Sequence, residues 1–159
     1  MKLNVVIVAI VVGCFAMLSG CERGNDGLQY PSPQLAVEQA LNLQLEALSH
    51  TGNTHRGVAQ VYVFASPKSR SMMGSFDAFA SLILEHMTPL VGHRSSEAHV
   101  LEQNPMRVSF QVTVQDLQGE ESHYEWVLEK MPAPDCQLCW RNTYIHPMET
   151  PVKGTTIEL

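Results

Sequence analysis

The chain has 159 residues, 45% hydrophobic and 16% charged, with 10 Lys+Arg against 16 Asp+Glu and a formal net charge of −6. That length is one domain's worth, enough to bury roughly two-thirds of the unfolded surface without staples. The acidic balance, with no stripe of basic residues, disfavours nucleic acid and electrostatic adhesion to anionic lipid.

Lys2 precedes an apolar run over residues 5–18, which ends in Leu18-Ser19-Gly20-Cys21. A spanning helix needs about 20 apolar residues, so this run is short and reads as a secretory signal. Small residues before a cysteine resemble the lipobox of bacterial lipoprotein precursors. The resemblance implies a signal peptide over 1–20 and a mature chain that begins at a lipid-bearing Cys21. An uncleaved signal anchor is one alternative. A secretory signal cut elsewhere is another, and it would leave Cys21 a free thiol in an oxidising compartment. Glu22 follows, not the aspartate associated with inner-membrane retention, which favours the outer membrane. The expected location is therefore the cell envelope, lipid-anchored and facing the periplasm. Each buried methylene contributes about 0.8 kcal/mol, and several chains on one residue hold nearly permanently. Losing Lys2 with the leader leaves 9 basic residues against 16 acidic ones, or −7. The lipid is then the means of membrane attachment.

Residues 21–31 contain Gly24, Asn25, Asp26 and Gly27 without an apolar period, and read as a flexible tether. Ser32-Pro33 is an expected N-cap and first helical turn. Val37, Leu41, Leu45 and Leu48 then follow a helical period to about Ser49, and Gly52 stops it. A second helix is expected over 55–65, with Val58, Val61, Tyr62 and Ala65 on its apolar face and Pro67 as its limit. Residues 66–74 read as a polar loop. Ser75 caps a third helix, with Asp77 in its first turn and Phe76, Phe79, Ala80, Ile83, Leu84 and Met87 in period, ending at Thr88-Pro89.

The second half changes period. A faint strand pattern covers 97–103. Over 106–115, Val108, Phe110, Val112 and Val114 alternate with Ser109, Gln111, Thr113 and Gln115, a half-buried antiparallel strand. Asp116 to Glu120, with Gly119, makes a hairpin connection. The return strand over 122–131 puts Tyr124, Trp126 and Leu128 on one face and His123, Glu125 and Glu129 on the other. Residues 131–135 read as a rigid turn, 140–146 as the last strand, and 148–159 as a loosely ordered tail. Helices followed by an antiparallel meander define an α+β domain over 32–147, with the helices on one face of the sheet.

Tyr62-Val63-Phe64-Ala65-Ser66-Pro67, with Arg70 and Gly74-Ser75-Phe76 behind it, resembles a bacterial domain family of the NTF2-like (cystatin-like) superfamily. Gly119, Trp126 and Cys139-Trp140-Arg141 match its closing pattern, and the resemblance runs over about 34–145. It implies N-terminal helices packed on a curved antiparallel sheet, a cone with a pocket between the layers, and in many members a homodimer. The family has no assigned activity, so the resemblance implies no catalytic residue. Fold alone does not choose between enzyme, binding module and inert scaffold.

The sharpest local signal is Cys136-Gln137-Leu138-Cys139. In an oxidising compartment two close thiols become a disulfide. Residues three apart in a straight strand lie about 10 Å apart, too far to bridge, but a turn after Pro134-Asp135 brings them within about 7 Å. A brace before the last strand is expected. Thiol redox chemistry, which wants a helix after the motif, and metal capture with a histidine are the alternatives. Seven histidines invite a metal reading, but His86, His93 and His99 lack helical ligand spacing, and the parity of His123 turns it away from Tyr124 and Trp126. Met72-Met73 reads as packing. There is no phosphate loop, G-x-S-x-G or H-E-x-x-H motif.

Tyr62, Phe79, Trp126 and Trp140 are the aromatic residues expected to fill or line the space between helices and sheet. No cofactor is implied. The function expected is non-catalytic binding of a small apolar ligand or an envelope protein partner. The alternatives are a pocket enzyme of isomerase or hydrolase type and a redox or metal-handling protein on Cys136 and Cys139.

Overall fold

The computed structural model describes residues 26–149. The expected signal peptide, Cys21 and the first residues of the expected tether lie outside these, as do residues 150–159. Four helices precede four strands: α1 (Val37–Ser49), α2 (Thr54–Val63), α3 (Pro67–Met73), α4 (Phe76–His86), then β1 (Ser95–Asn104), β2 (Arg107–Gln115), β3 (Glu121–Ala133) and β4 (Cys136–Met148). The strands form one antiparallel meander in the order β1-β2-β3-β4. This is the α+β architecture expected from the change of period.

The core lies between the layers. Leu41, Leu45 and Leu48 of α1, Val58 and Val61 of α2, and Phe79, Ala80 and Ile83 of α4 pack on Val108, Phe110, Val112, Tyr124, Trp126 and Leu128. Periods of 3.6 and 2 bring these side chains to one surface each, and burial of both surfaces joins the layers. α1 and α2 cross closely at Gly57, where an added Cβ would lie 2.5 Å from the Ala47 carbonyl oxygen.

Several elements differ from expectation, each for a local reason. The fold begins before Ser32: Leu28 is buried in the core, Gln29 exchanges hydrogen bonds with the Gln60 side chain, and Arg56 donates to the Gly27 carbonyl. Residues 26–31 are therefore docked on α2 rather than part of a free tether. Ser32 opens a turn, and α1 starts at Val37, with the Ala36 amide donating to the Gln39 side chain. The polar stretch after Pro67 is helical. Ser66 caps α3 by accepting from the Ser69 amide, Pro67 opens it, and Gly74 closes it at φ 77°. These caps substitute for the missing apolar period.

The last two strands are longer than their alternation suggests. Proline is excluded from regular ladder positions in a central strand, and Pro132 falls at the register break where Met131 pairs with Cys139 and Ala133 with Cys136. Pro147 lies in β4, an edge strand that tolerates its missing N–H. Met148 belongs to β4 and not to a tail. On the outward face of β2, Ser109 and Gln111 are buried despite their polarity, Ser109 by donating to Glu125 at 2.7 Å.

Candidate functional site

The motif around Ser66 builds the edge of the molecule where β4 meets the helices. After α2 ends, residues 64–66 run alongside β4 as a strap. The Asn142 amide donates to the Phe64 carbonyl at 2.8 Å, the Ser66 amide donates to the Asn142 carbonyl at 2.9 Å, and Ala65 forms a parallel bridge with Asn142. Phe64 is fully buried, and Ser66 turns the chain into α3. Each residue of Phe64-Ala65-Ser66-Pro67 thus has a structural task.

Inside this junction Asn142 gathers the buried polar groups. Its Oδ1 accepts from Trp126 Nε1 at 3.0 Å and from Gln44 Nε2 at 3.3 Å, while its Nδ2 donates to Gln44 Oε1 and to the Val61 carbonyl at 3.3 Å. Gln44 Nε2 also donates to the Ala40 carbonyl at 2.7 Å. Burying such groups is tolerable only when they are paired. Here one amide pairs two helices with two strands.

Beside the strap lies an apolar cleft of about 190 Å³. Val61, Ala65, Phe79 and Met87 form its buried base, and Met73 and Ile145 its half-buried sides. The rim is exposed: Met72 at 77%, Tyr144 at 47% and Leu82 at 38%. Exposed apolar side chains clustered around a concavity mark binding surfaces more often than isolated ones do. Methionines add a rim that can change shape. A larger groove of about 920 Å³ runs between residues 29–35, α1 and the β3–β4 turn. Its walls mix polar side chains, including Gln39, Asn42, Glu46 and Gln137, with apolar ones such as Leu35 and Leu43.

Of the four aromatic residues expected to fill or line the space between helices and sheet, Phe79 reaches the cleft. Trp126 is fully buried on Asn142, and Trp140 is buried beneath Lys130, whose Nζ lies 5.0 Å from the ring centroid. Tyr62 packs against Phe76 and Phe79, with centroids at 5.4 Å in both cases, and Arg70 covers its ring at 5.3 Å. These three fill the core and its margin. The cleft depends instead on Met72, Met73, Leu82 and Tyr144. The sequence carried two signals of it: Met72-Met73, which read as packing but has Met72 exposed on the rim, and Leu82, an apolar residue on the exposed side of α4.

Cys136 and Cys139 stand at disulfide-bonding distance, with Cα atoms 5.9 Å apart. They are joined across a bulge in which Leu138 takes φ 56°, not across a simple turn. Asp135, just before the pair, accepts from Arg141 Nη2 at 2.7 Å, and Arg141 is almost wholly buried. Arg141 Nη1 and Arg70 Nη2 both donate to the Val63 carbonyl, at 3.0 and 2.7 Å. Burial pushes the Asp135 carboxyl up, but the Arg141 hydrogen bond and charge outweigh it and hold the carboxyl below its ordinary range.

Three of the histidines make local contacts. His93 Nδ1 lies 2.8 Å from the Leu90 carbonyl, His99 pairs with Glu97, and His123 Nδ1 meets Thr113 Oγ1 at 3.0 Å. Among the described residues no group of three or more His, Cys, Asp or Glu side chains could hold a metal ion. Burial raises the Tyr124 phenol above its ordinary range, consistent with a core position.

These features define, over the described residues, an α+β domain with a buried polar junction and an apolar cleft at its edge strand. No family model, curated protein or solved structure matches the chain.

Proposed function

We propose that this is a lipid-anchored envelope protein with an NTF2-like domain, and that the domain binds, without catalysis, an apolar group presented by an envelope partner. The observation that carries this reading is the cleft between α3, α4 and β4, with its exposed rim of Met72, Leu82 and Tyr144. A dry cavity of about 150 Å³ is large enough for benzene, so about 190 Å³ suits one aromatic or branched aliphatic side chain. Burying such a group contributes about 1.5–3 kcal/mol, which alone gives weaker than millimolar binding. A membrane tether compensates, because two partners held at one surface meet at high effective concentration. The open, apolar rim favours a protein partner over an enclosed small ligand.

Toluene is a suitable probe. Added to the domain, it should shift the methyl resonances of Met73, Met87 and Ile145, and Leu82→Asp should weaken that response about tenfold without loss of fold. Methyl shifts spread evenly over the molecule, or none at Met73 and Ile145, would reject the cleft as the binding site.

A further inference from the structure

We infer that the Cys136–Cys139 bond is a redox-sensitive latch. Closed, it holds Asp135 on the buried Arg141 and so keeps the 64–66 strap on β4. Opened, it releases both. The inference does not depend on what the cleft binds.

The geometry runs in one direction from the cysteines to the strap. A straight strand would separate residues 136 and 139 by about 10 Å, whereas their Cα atoms are 5.9 Å apart. The difference is taken up by the bulge opposite Pro132 and by Leu138 at φ 56°. A leucine persists in the left-handed region only where its surroundings impose it. The cross-link is such an imposition, and Asp135 is the residue next to it. Asp135 in turn supplies the carboxylate paired with Arg141, whose Nε is buried without a partner among the described residues. Arg141 passes the restraint to the Val63 carbonyl, one residue before the strap that bonds Asn142. Arg70 reaches the same carbonyl and adds its charge to the field at Asp135.

Opening is a balanced exchange. A dithiol reductant attacks the bond, supplies two electrons and two protons and leaves as its own disulfide, and Cys136 and Cys139 become thiols. The bulge can then relax towards a regular strand, which moves Asp135. Arg141, left buried without its counter-charge, is costly to retain in place.

The test is amide hydrogen exchange on the full chain before and after dithiothreitol. The Ser66 and Asn142 amides should exchange roughly tenfold faster when reduced, while Phe110 and Trp126 amides in the sheet centre hold their protection. The Asp135 carboxyl should titrate below its ordinary range when oxidised and move back towards it when reduced. Asp135→Asn should accelerate the same two amides in the oxidised chain but add little in the Cys136→Ser/Cys139→Ser chain. Unchanged Ser66 and Asn142 exchange on reduction, a uniform rise across the sheet, or an equal effect of Asp135→Asn in both backgrounds would overturn the latch. The reduction arm needs no variant, so misfolding of the double-serine chain does not remove the test.

Discussion

Asn142 shows how much one residue can decide. It must present an acceptor to Trp126 and Gln44 and a donor to Gln44 and Val61, a combination only a side-chain amide offers at this length. Asn142→Leu should destabilise the protein by about 2–4 kcal/mol, because several buried polar groups lose their partners together. Adding Gln44→Leu should recover part of that loss, since an apolar pair strands fewer groups than a half-removed polar one. Urea denaturation of the two variants gives the comparison, and a double variant no more stable than Asn142→Leu alone would contradict it. Nothing near Asn142 in the sequence marks it out. It sits in Trp140-Arg141-Asn142-Thr143, where strand alternation identifies a face but not a partner 98 residues away.

At the scale of elements, the parts that followed their own period were legible. The alternation of Val108, Phe110, Val112 and Val114 and the helical spacing of Phe79, Ala80 and Ile83 became buried faces as expected. Elements held by caps or by neighbours were not. α3 has no buried residue, so no hydrophobic period could reveal it, although Ser66-Pro67 and Gly74 carried its start and stop signals. The docking of Leu28 and Gln29 was hidden because their partners lie in α2. Helix contact also constrains positions that look free: Gly57 has no room for a methyl group against the Ala47 carbonyl. Gly57→Ala should gain up to about 1 kcal/mol of helix propensity and lose more than that by forcing α1 and α2 apart. A melting temperature several degrees lower, by calorimetry, is the expected outcome. An unchanged or higher value would show that the crossing can yield.

For the whole molecule, the proposed function makes membrane attachment and binding separate tasks, placed in separate parts of the chain. Among the described residues no helix is long and apolar enough to cross a membrane, and the net charge of −6 gives the chain no general attraction to anionic lipid. Cys21→Ser should therefore move the protein from the membrane fraction to the soluble one and abolish labelled-palmitate incorporation. Retention of both would defeat the lipid-anchor reading. The sequence by itself determined the α+β class, the helix-then-meander order and the closeness of Cys136 and Cys139, because these follow from periods, turn residues and spacings within one stretch of chain. Only the tertiary structure decided that Trp126 and Trp140 fill the core, that Met72, Leu82 and Tyr144 surround the cleft, and that Arg141 depends on Asp135. Those facts concern which surfaces meet, and a local pattern records which side of an element is apolar without recording what will cover it.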